Sequence, residues 1–278
     1  MFLFDPNFIR KTIPFIFSKK LINMRINNGL MKIDVNDHIG YRFLMENGFD
    51  ITVQNLTKKI QLSKRDIFLD IGANVGTICI PVAINTGCEV IAIEASKTNG
   101  SILIENAYIN SIKMTPWLFC AVDEETYRAK DWIEFYIQNG NTGSNSIFSH
   151  WNPSLTKSQT EYVRTSTIDR IIDSAELSRI KLIKIDVEGA EELVLRGASK
   201  ILDLSVPIIF EYRIDATEKY LGENGSRLVS ILRQKFELFG IKDNQEFECF
   251  SDNKPYANAI ALPKDKLNKF KKILEITI

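Results

Sequence analysis

Three groups of residues in this chain could do chemistry. The first is the turn Asp70-Ile71-Gly72-Ala73-Asn74-Val75-Gly76, which closes the run FLDIGANVG at residues 68–76. Glycines between a strand and a helix let backbone approach a ligand at the helix N-terminus. The second is Glu94, about twenty residues further on, where a carboxylate can accept both hydroxyls of a ribose. The third is the run IKIDVEG, in which Lys184, Asp186 and Glu188 alternate, together with Glu211 at the end of VPIIFE. A carboxylate at such a strand tip can take the proton of an attacking hydroxyl, a contribution of about 10²–10⁴-fold. His150, in the polar loop SNSIFSHWNP, is a further candidate base because imidazole titrates near neutrality.

The glycine turn narrows the ligand. A dinucleotide fingerprint needs G-x-G-x-x-G, but counting from Gly72 the second glycine position holds Asn74 and the third holds Thr77. No G-K-[ST] follows to suggest a P-loop. A ribose-binding acid without a pyrophosphate cradle points to S-adenosylmethionine, whose zwitterionic methionine end suits a short polar turn. The bland alternative is a glycine pair that merely reverses the chain. The expected cofactor-binding set is Asp70, Gly72, Ala73, Asn74, Gly76, Glu94, Ala95, Ala121 and Val122. The expected catalytic set is Asp186, Glu188, Glu211, Lys184 and His150. Asp186 or Glu188 could alternatively cap a helix starting near Ala190, since acids favour helix N-termini. Lys184 is costly to bury unpaired, so an ion pair with Asp186 or Glu211 is expected. Magnesium on Asp186, Glu188 and Glu211 is chemically reasonable, but no spacing signature supports it and no metal is expected.

These residues need a scaffold, and the chain from residue 66 supplies one. DIFLDIG, CEVIAIEA and TPWLFCAVD read as buried strands. NVGTICIPVAINTG reads as a helix closed by Gly87, and KTNGSILIENAYIN as a helix offering Ile102, Ile104, Ala107 and Tyr108 for burial. Apolar strands alternating with helices predict a parallel sheet covered on both faces. DWIEFYIQN and TEYVRTSTI instead alternate apolar and polar residues, as half-exposed antiparallel strands do. They predict a hairpin-like insertion near 124–168 whose loop, Asn139 to Ser158, could fold over the site. The parallel rhythm resumes with IKLIKIDVEG, the helix AEELVLRGASKIL and VPIIFEYR. A helix near GSRLVSILRQKF, the strands ELFGIKD and ANAIALP, and a basic amphipathic helix KDKLNKFKKILEI follow. Residues 1–60 lie outside this rhythm and read as an accessory segment folded onto a domain of residues 61–278. Within it LMKIDVND could be an edge strand, preceded by one or two helices.

DIGANVG, the acid Glu94, STIDRII, IKIDVEGAEELVLRGA and IIFEY occur in this order, and over roughly residues 60–213 the chain resembles FkbM-type S-adenosylmethionine-dependent methyltransferases. IKIDVEGAE with VLRGA is the most specific part of the likeness. The resemblance implies the class I methyltransferase fold, a Rossmann-like doubly wound sheet that is mostly parallel with an antiparallel last strand. It also implies O-methylation of hydroxyls on sugars and natural products. The leading expectation is therefore an O-methyltransferase acting on a sugar hydroxyl of a polysaccharide or glycolipid. An N-methyltransferase of an amine or nucleic acid is the alternative enzyme, although no [DN]-P-P-[YF] motif follows the fourth strand. A non-catalytic adenosine-binding module is the alternative outside enzymes, and it would not need an acid-rich strand tip.

Composition sets the outer bounds. With 278 residues, 45% of them apolar, 25% charged and a net charge of zero, no global field draws the protein to nucleic acid or a membrane. The acceptor is accordingly expected to be a small molecule or glycan, not nucleic acid. Arg10, Lys11, Lys19 and Lys20 among N-terminal phenylalanines could touch a membrane surface or an anionic glycan; a helix packing its Phe face on the domain is the simpler reading. Cys79, Cys88, Cys120 and Cys249 show no C-x-x-C pair, with Cys79 and Cys120 placed as core residues. A reduced, cytoplasmic setting is the default, and no run approaches the ~18 apolar residues of a membrane span.

Overall fold

The computed structural model describes residues 21–26, 29–46, 50–149, 158–213, 225–242 and 244–278. The N-terminal part begins as a hairpin of β1 (Leu21–Ile26) and β2 (Gly29–Asp34). LMKIDVND is thus a strand, but not at the edge of the main sheet. Its backbone is met by the helix Lys97–Ile109: Lys32 N donates to Asn106 Oδ1 at 2.6 Å, and Leu30 N to Asn110 Oδ1 at 2.8 Å. These asparagines occupy the groups a sheet neighbour would have used. Residues 21–26, expected within a helical segment, are a strand; residues 1–20 lie outside the described residues. Helices His38–Glu46 and Ile51–Ile60 follow, the second capped by Asp50, which accepts from Val53 N.

The rest of the chain builds the sheet. β3 (Ile67–Ile71), β4 (Glu89–Glu94) and β5 (Met114–Leu118) run parallel. β6 (Cys120–Ala121), β7 (Trp132–Gln138) and β8 (Ser158–Ser166) form a separate three-stranded sheet, in which β7 and β8 pair antiparallel as the alternating pattern predicts. β9 (Ile180–Ile185) and β10 (Ile208–Tyr212) return to the main sheet. β11 (Phe236–Ile241), β12 (Phe247–Cys249) and β13 (Tyr256–Pro263) complete it. The order is β12-β11-β13-β10-β9-β3-β4-β5, with β13 antiparallel to both β10 and β11. The late antiparallel strand is as expected, and the short β12 is an addition to the seven strands read from the sequence.

Alternate residues of the buried strands feed two cores. Phe68, Val90, Leu182 and Ile209 pack with the helices Ile51–Ile60, Cys79–Thr86 and Leu267–Leu274. Leu69, Ile91, Ile183 and Phe210 face Val194, Ile201, Leu228 and Leu232 on the other side. The last helix buries Phe270 and Leu274 and leaves its lysines outward, as its amphipathic spacing requires. Cys79 and Cys120 are buried and unbonded, as read.

Four local expectations change. TPWLFCAVD is two strands, because after Phe119 the chain leaves the main sheet so that Cys120 and Ala121 can pair with Thr165 and Ser166. The first crossover helix starts at Cys79 rather than Asn74, the intervening residues being spent on turns; Gly87 does close it in a left-handed conformation. Lys97–Ile109 exposes Ile104 and Tyr108 and buries Asn99, Leu103, Asn106 and Ala107. Asn106 earns that place by binding the carbonyls of Val75 and Lys32. AEELVLRGASKIL breaks into Glu191–Arg196 and Ser199–Leu202. At the break a Cβ on Gly197 would lie 2.1 Å from the Val122 carbonyl oxygen.

Candidate functional site

The carboxyl ends of β3, β4, β9 and β10 open into one cavity of about 1030 Å³. After β3 the chain turns sharply, and the amides of Gly72 and Ala73 donate to the Ile93 carbonyl at 2.9 and 3.0 Å. Gly72 has φ of 87°, and a Cβ there would sit 1.7 Å from the Asp186 carbonyl oxygen. Only glycine meets both demands. Asn74, also left-handed at φ 53°, donates its N–H to Glu94 Oε2 at 2.8 Å, while Ser96 N donates to Glu94 Oε1 at 2.8 Å. Burial raises the Glu94 carboxyl to about 7, against the opposing pull of those two amides.

Asp70 and Lys184 face each other across the β3–β9 pair. Asp70 is 1% exposed, and among the described residues no N–H or O–H donates to its carboxylate; the Cys79 thiol is the donor beside it. Burial raises it to about 6, although the Lys184 charge pulls the other way. Lys184 is 2% exposed and donates to Asp186 Oδ2 at 2.7 Å, the ion pair its burial requires. Burial opposes its charge, but Asp186 and Asp70 outweigh that and hold the ammonium above its usual range.

The acids gather one step further along. Oxygens of Asp186, Glu188 and Glu211 lie within 4.8 Å of one another, a hard-oxygen set that could hold a divalent cation. β9 ends at Ile185, so Glu188 does not continue the strand alternation with Lys184 and Asp186; it enters the cavity from a left-handed turn at φ 53°. That turn is gripped by Glu191, whose Oε1 accepts from Val187 N at 2.9 Å and Gly189 N at 3.2 Å. Neither Asp186 nor Glu188 caps the next helix: it starts at Glu191 behind Ala190 with no side-chain cap bond. Burial, then the charges of Glu188, Asp186 and Glu191, push Glu211 well above the usual carboxylate range against Arg213, 3.8 Å from Oε1, and its buried Oε2 has no hydrogen-bond partner among the described residues.

Of the expected cofactor set, Asp70, Gly72, Ala73, Asn74, Glu94, Ala95 and Ala121 line the cavity. Gly76 and Val122 do not. Gly76 shapes the turn, at φ 88° against Ile80 and Leu103, and Val122 packs with Cys120, Phe135 and Val163 beneath the insertion. Lys184, Asp186, Glu188 and Glu211 all line the cavity; His150 lies outside the described residues. From the insertion, residues 141–145 reach the cavity, while residues 150–157 of its loop lie outside the described ones. His38, Arg42, Asp50 and Lys58 on the N-terminal helices, and Asn258 on β13, also line it and went unread. Polar residues on amphipathic helices carry no sign of which cavity they edge; Glu191, by contrast, stood in the IKIDVEGAE motif.

A glycine turn after β3, an acid closing β4 and a sheet whose last strand inserts antiparallel together define a class I methyltransferase fold, with S-adenosylmethionine as cofactor. The chain belongs to the FkbM methyltransferase family: the model described as Methyltransferase FkbM domain matches residues 70–240. It is a methyltransferase. No curated protein sequence matches it significantly. Among solved structures it is similar to TYW2 of M. jannaschii in complex with AdoMet (12% identity, 88% of this chain and 85% of that one, TM-score 0.43). It is also similar to precorrin-6y C5,15-methyltransferase from Geobacter metallireducens (12%, 76% and 87%, TM-score 0.40). A third is the M. jannaschii tRNA m1G37 methyltransferase (12%, 89% and 58%, TM-score 0.44). No helix among the described residues is long and apolar enough to cross a membrane.

Proposed function

We propose that this methyltransferase acts on a hydroxyl, that of a sugar in a polysaccharide or glycolipid. The observation that carries the reading is the convergence of Asp186, Glu188 and Glu211 beside the glycine turn. A hydroxyl is barely acidic and needs a base during attack, whereas a neutral amine does not. Asp186 and Glu188 at the reacting end disfavour an acceptor that brings phosphates to that end, while Arg42 and Lys58 edge the cavity elsewhere.

Bound S-adenosylmethionine supplies a methyl group made electrophilic by its sulfonium. The buried Asp70 carboxylate, which no N–H or O–H among the described residues binds, fits the ammonium of its methionine end, and Glu94, already fixed by two amides, fits the ribose hydroxyls. Glu188 takes the acceptor's proton. Asp186 is held by Lys184 and orients the acceptor, while burial and its acidic neighbours raise the Glu211 carboxyl well above the usual range against the pull of Arg213. Ala73, Asn74, Ala95 and Ala121 complete the cofactor wall. Screening neutral, amino and acidic sugars for methyl transfer from labelled cofactor tests the reading; transfer to RNA or to a free amine, with none to sugars, overturns it.

Two cofactor predictions follow from the same carboxylates. Glu94→Ala is expected to weaken S-adenosylhomocysteine binding by ~1.5–3 kcal/mol, the loss of a charged acceptor. Calorimetry showing unchanged affinity removes Glu94 from the ribose role. Asp70 and Glu94 stand at about 6 and about 7 in the folded chain. Both acids are raised, so in the free protein these two groups contribute less to stability as pH climbs from about 4 to 7. A ligand ammonium and ribose hydroxyls favour the ionised forms, so binding at pH 6–7 should release protons. Calorimetry in buffers of different ionisation enthalpy reads this directly, and heats independent of buffer count against it.

A further inference from the structure

Asp37 lies in the turn between β2 and the helix His38–Glu46, outside the matched residues 70–240, and is 7% exposed. Its Oδ1 accepts from Ile39 N at 2.9 Å and its Oδ2 from Thr142 N at 2.6 Å. Thr142 opens the 3₁₀ turn Thr142–Ser144, and its carbonyl accepts from Asn74 Nδ2 at 3.1 Å. Asn74 in turn donates its own N–H to Glu94. A continuous line of hydrogen-bonded residues therefore runs from Asp37 through Thr142 and Asn74 to Glu94. Two contacts reinforce it. His38 N donates to the Gly140 carbonyl at 2.9 Å, and a Cβ on Gly143 would lie 2.6 Å from Ile39 Cδ1. Residues 141–145 line the same cavity as the glycine turn.

We infer that Asp37 is a positioning residue for cofactor binding: it holds Thr142–Ser144 against the cofactor turn and, through Asn74, steadies the amide that fixes Glu94. A carboxylate suits this task because it accepts two N–H groups at once and presents no donor to repel either. Without it the half-buried Thr142 amide loses its protein acceptor, and the carbonyl that receives Asn74 Nδ2 loses its anchor. The segment preceding the matched domain thereby completes the cofactor half of the site. The inference rests on the reading of this cavity as the S-adenosylmethionine site.

The test is S-adenosylhomocysteine binding to the full chain, by calorimetry and stopped flow, with hydrogen exchange across residues 138–146. Asp37→Ala should weaken affinity tenfold or more, chiefly through faster dissociation. Asp37→Asn, which retains one acceptor oxygen, should fall between the two. Exchange at residues 140–146 should accelerate in Asp37→Ala while β3 and β4 stay protected. Asp37→Ala that binds within twofold of the natural chain overturns the inference, even if its melting temperature drops. Should that variant fail to fold, Thr142→Pro decides, since it deletes the donor and leaves Asp37 in place; a tenfold loss supports the inference and a loss under twofold overturns it. A natural chain that binds no S-adenosylhomocysteine overturns the cofactor reading itself, a result distinct from either.

Discussion

Lys184→Met is expected to cost the fold about 3–5 kcal/mol, the range for removing one partner of a buried ion pair. Methionine replaces much of the buried stem, so lost packing is a small part of the effect. The larger part is electrostatic: Asp70, 1% exposed, loses the cation opposite it, and Asp186 loses its 2.7 Å partner. Asp186 is 31% exposed and water recovers some of its share, which places the expected value toward the lower end of the range. The pH dependence identifies the cause. Asp70 is raised to about 6, and removing Lys184 raises it further, so at pH 5 it is neutral and needs no countercharge. Chemical denaturation should therefore show a clearly smaller loss at pH 5 than at pH 8. Equal losses would mean that packing, not charge, explains the residue.

Glu188→Gln is expected to lower turnover by about 10²–10⁴-fold, the share of a general base, with S-adenosylhomocysteine affinity and melting temperature nearly unchanged. Only the transition state loses an interaction in that case. A role as helix cap predicts the opposite pattern, but the helix at Glu191 takes no side-chain cap. Asp186→Asn should reduce turnover less and stability more, because it breaks the pair with Lys184. Glu211→Gln should reduce turnover less than Glu188→Gln, because burial and the neighbouring acids already hold the Glu211 carboxyl well above the usual carboxylate range. Full activity in Glu188→Gln with collapse in Glu211→Gln would reverse the assignment.

How far the sequence carries can be judged residue by residue. The strands IFLDI, EVIAIE, IKLIKI and IIFEY were legible because continuous apolar runs of that length have few other uses. The antiparallel insertion was legible from its period of two. The buried face of Lys97–Ile109 was not, because Asn99 and Asn106 read as polar until their partners are known. The Lys184–Asp186 pair followed from the cost of burying a lone lysine. Alternation along a strand places Glu188 with Lys184 and Asp186, whereas a left-handed turn held by Glu191 supplies its direction. Asp37 and Thr142 are 105 positions apart, and nothing local in either stretch announces that they meet.

The position of β13 has a consequence for how the protein is made. It stands between β10 and β11 and pairs with both, yet it is translated after each of them. Until residues 256–263 leave the ribosome, β10 presents an open edge beside the acid-bearing tip, and β11 has no long neighbour to join. The half of the sheet that carries Glu211 must therefore wait for residues 256–263, whose pairing with β10 joins positions as far apart as Ile208 and Ala261. A nascent chain halted before residue 256 should expose that edge to chaperones or to its own copies, while β3, β4 and the cofactor turn are already able to pair.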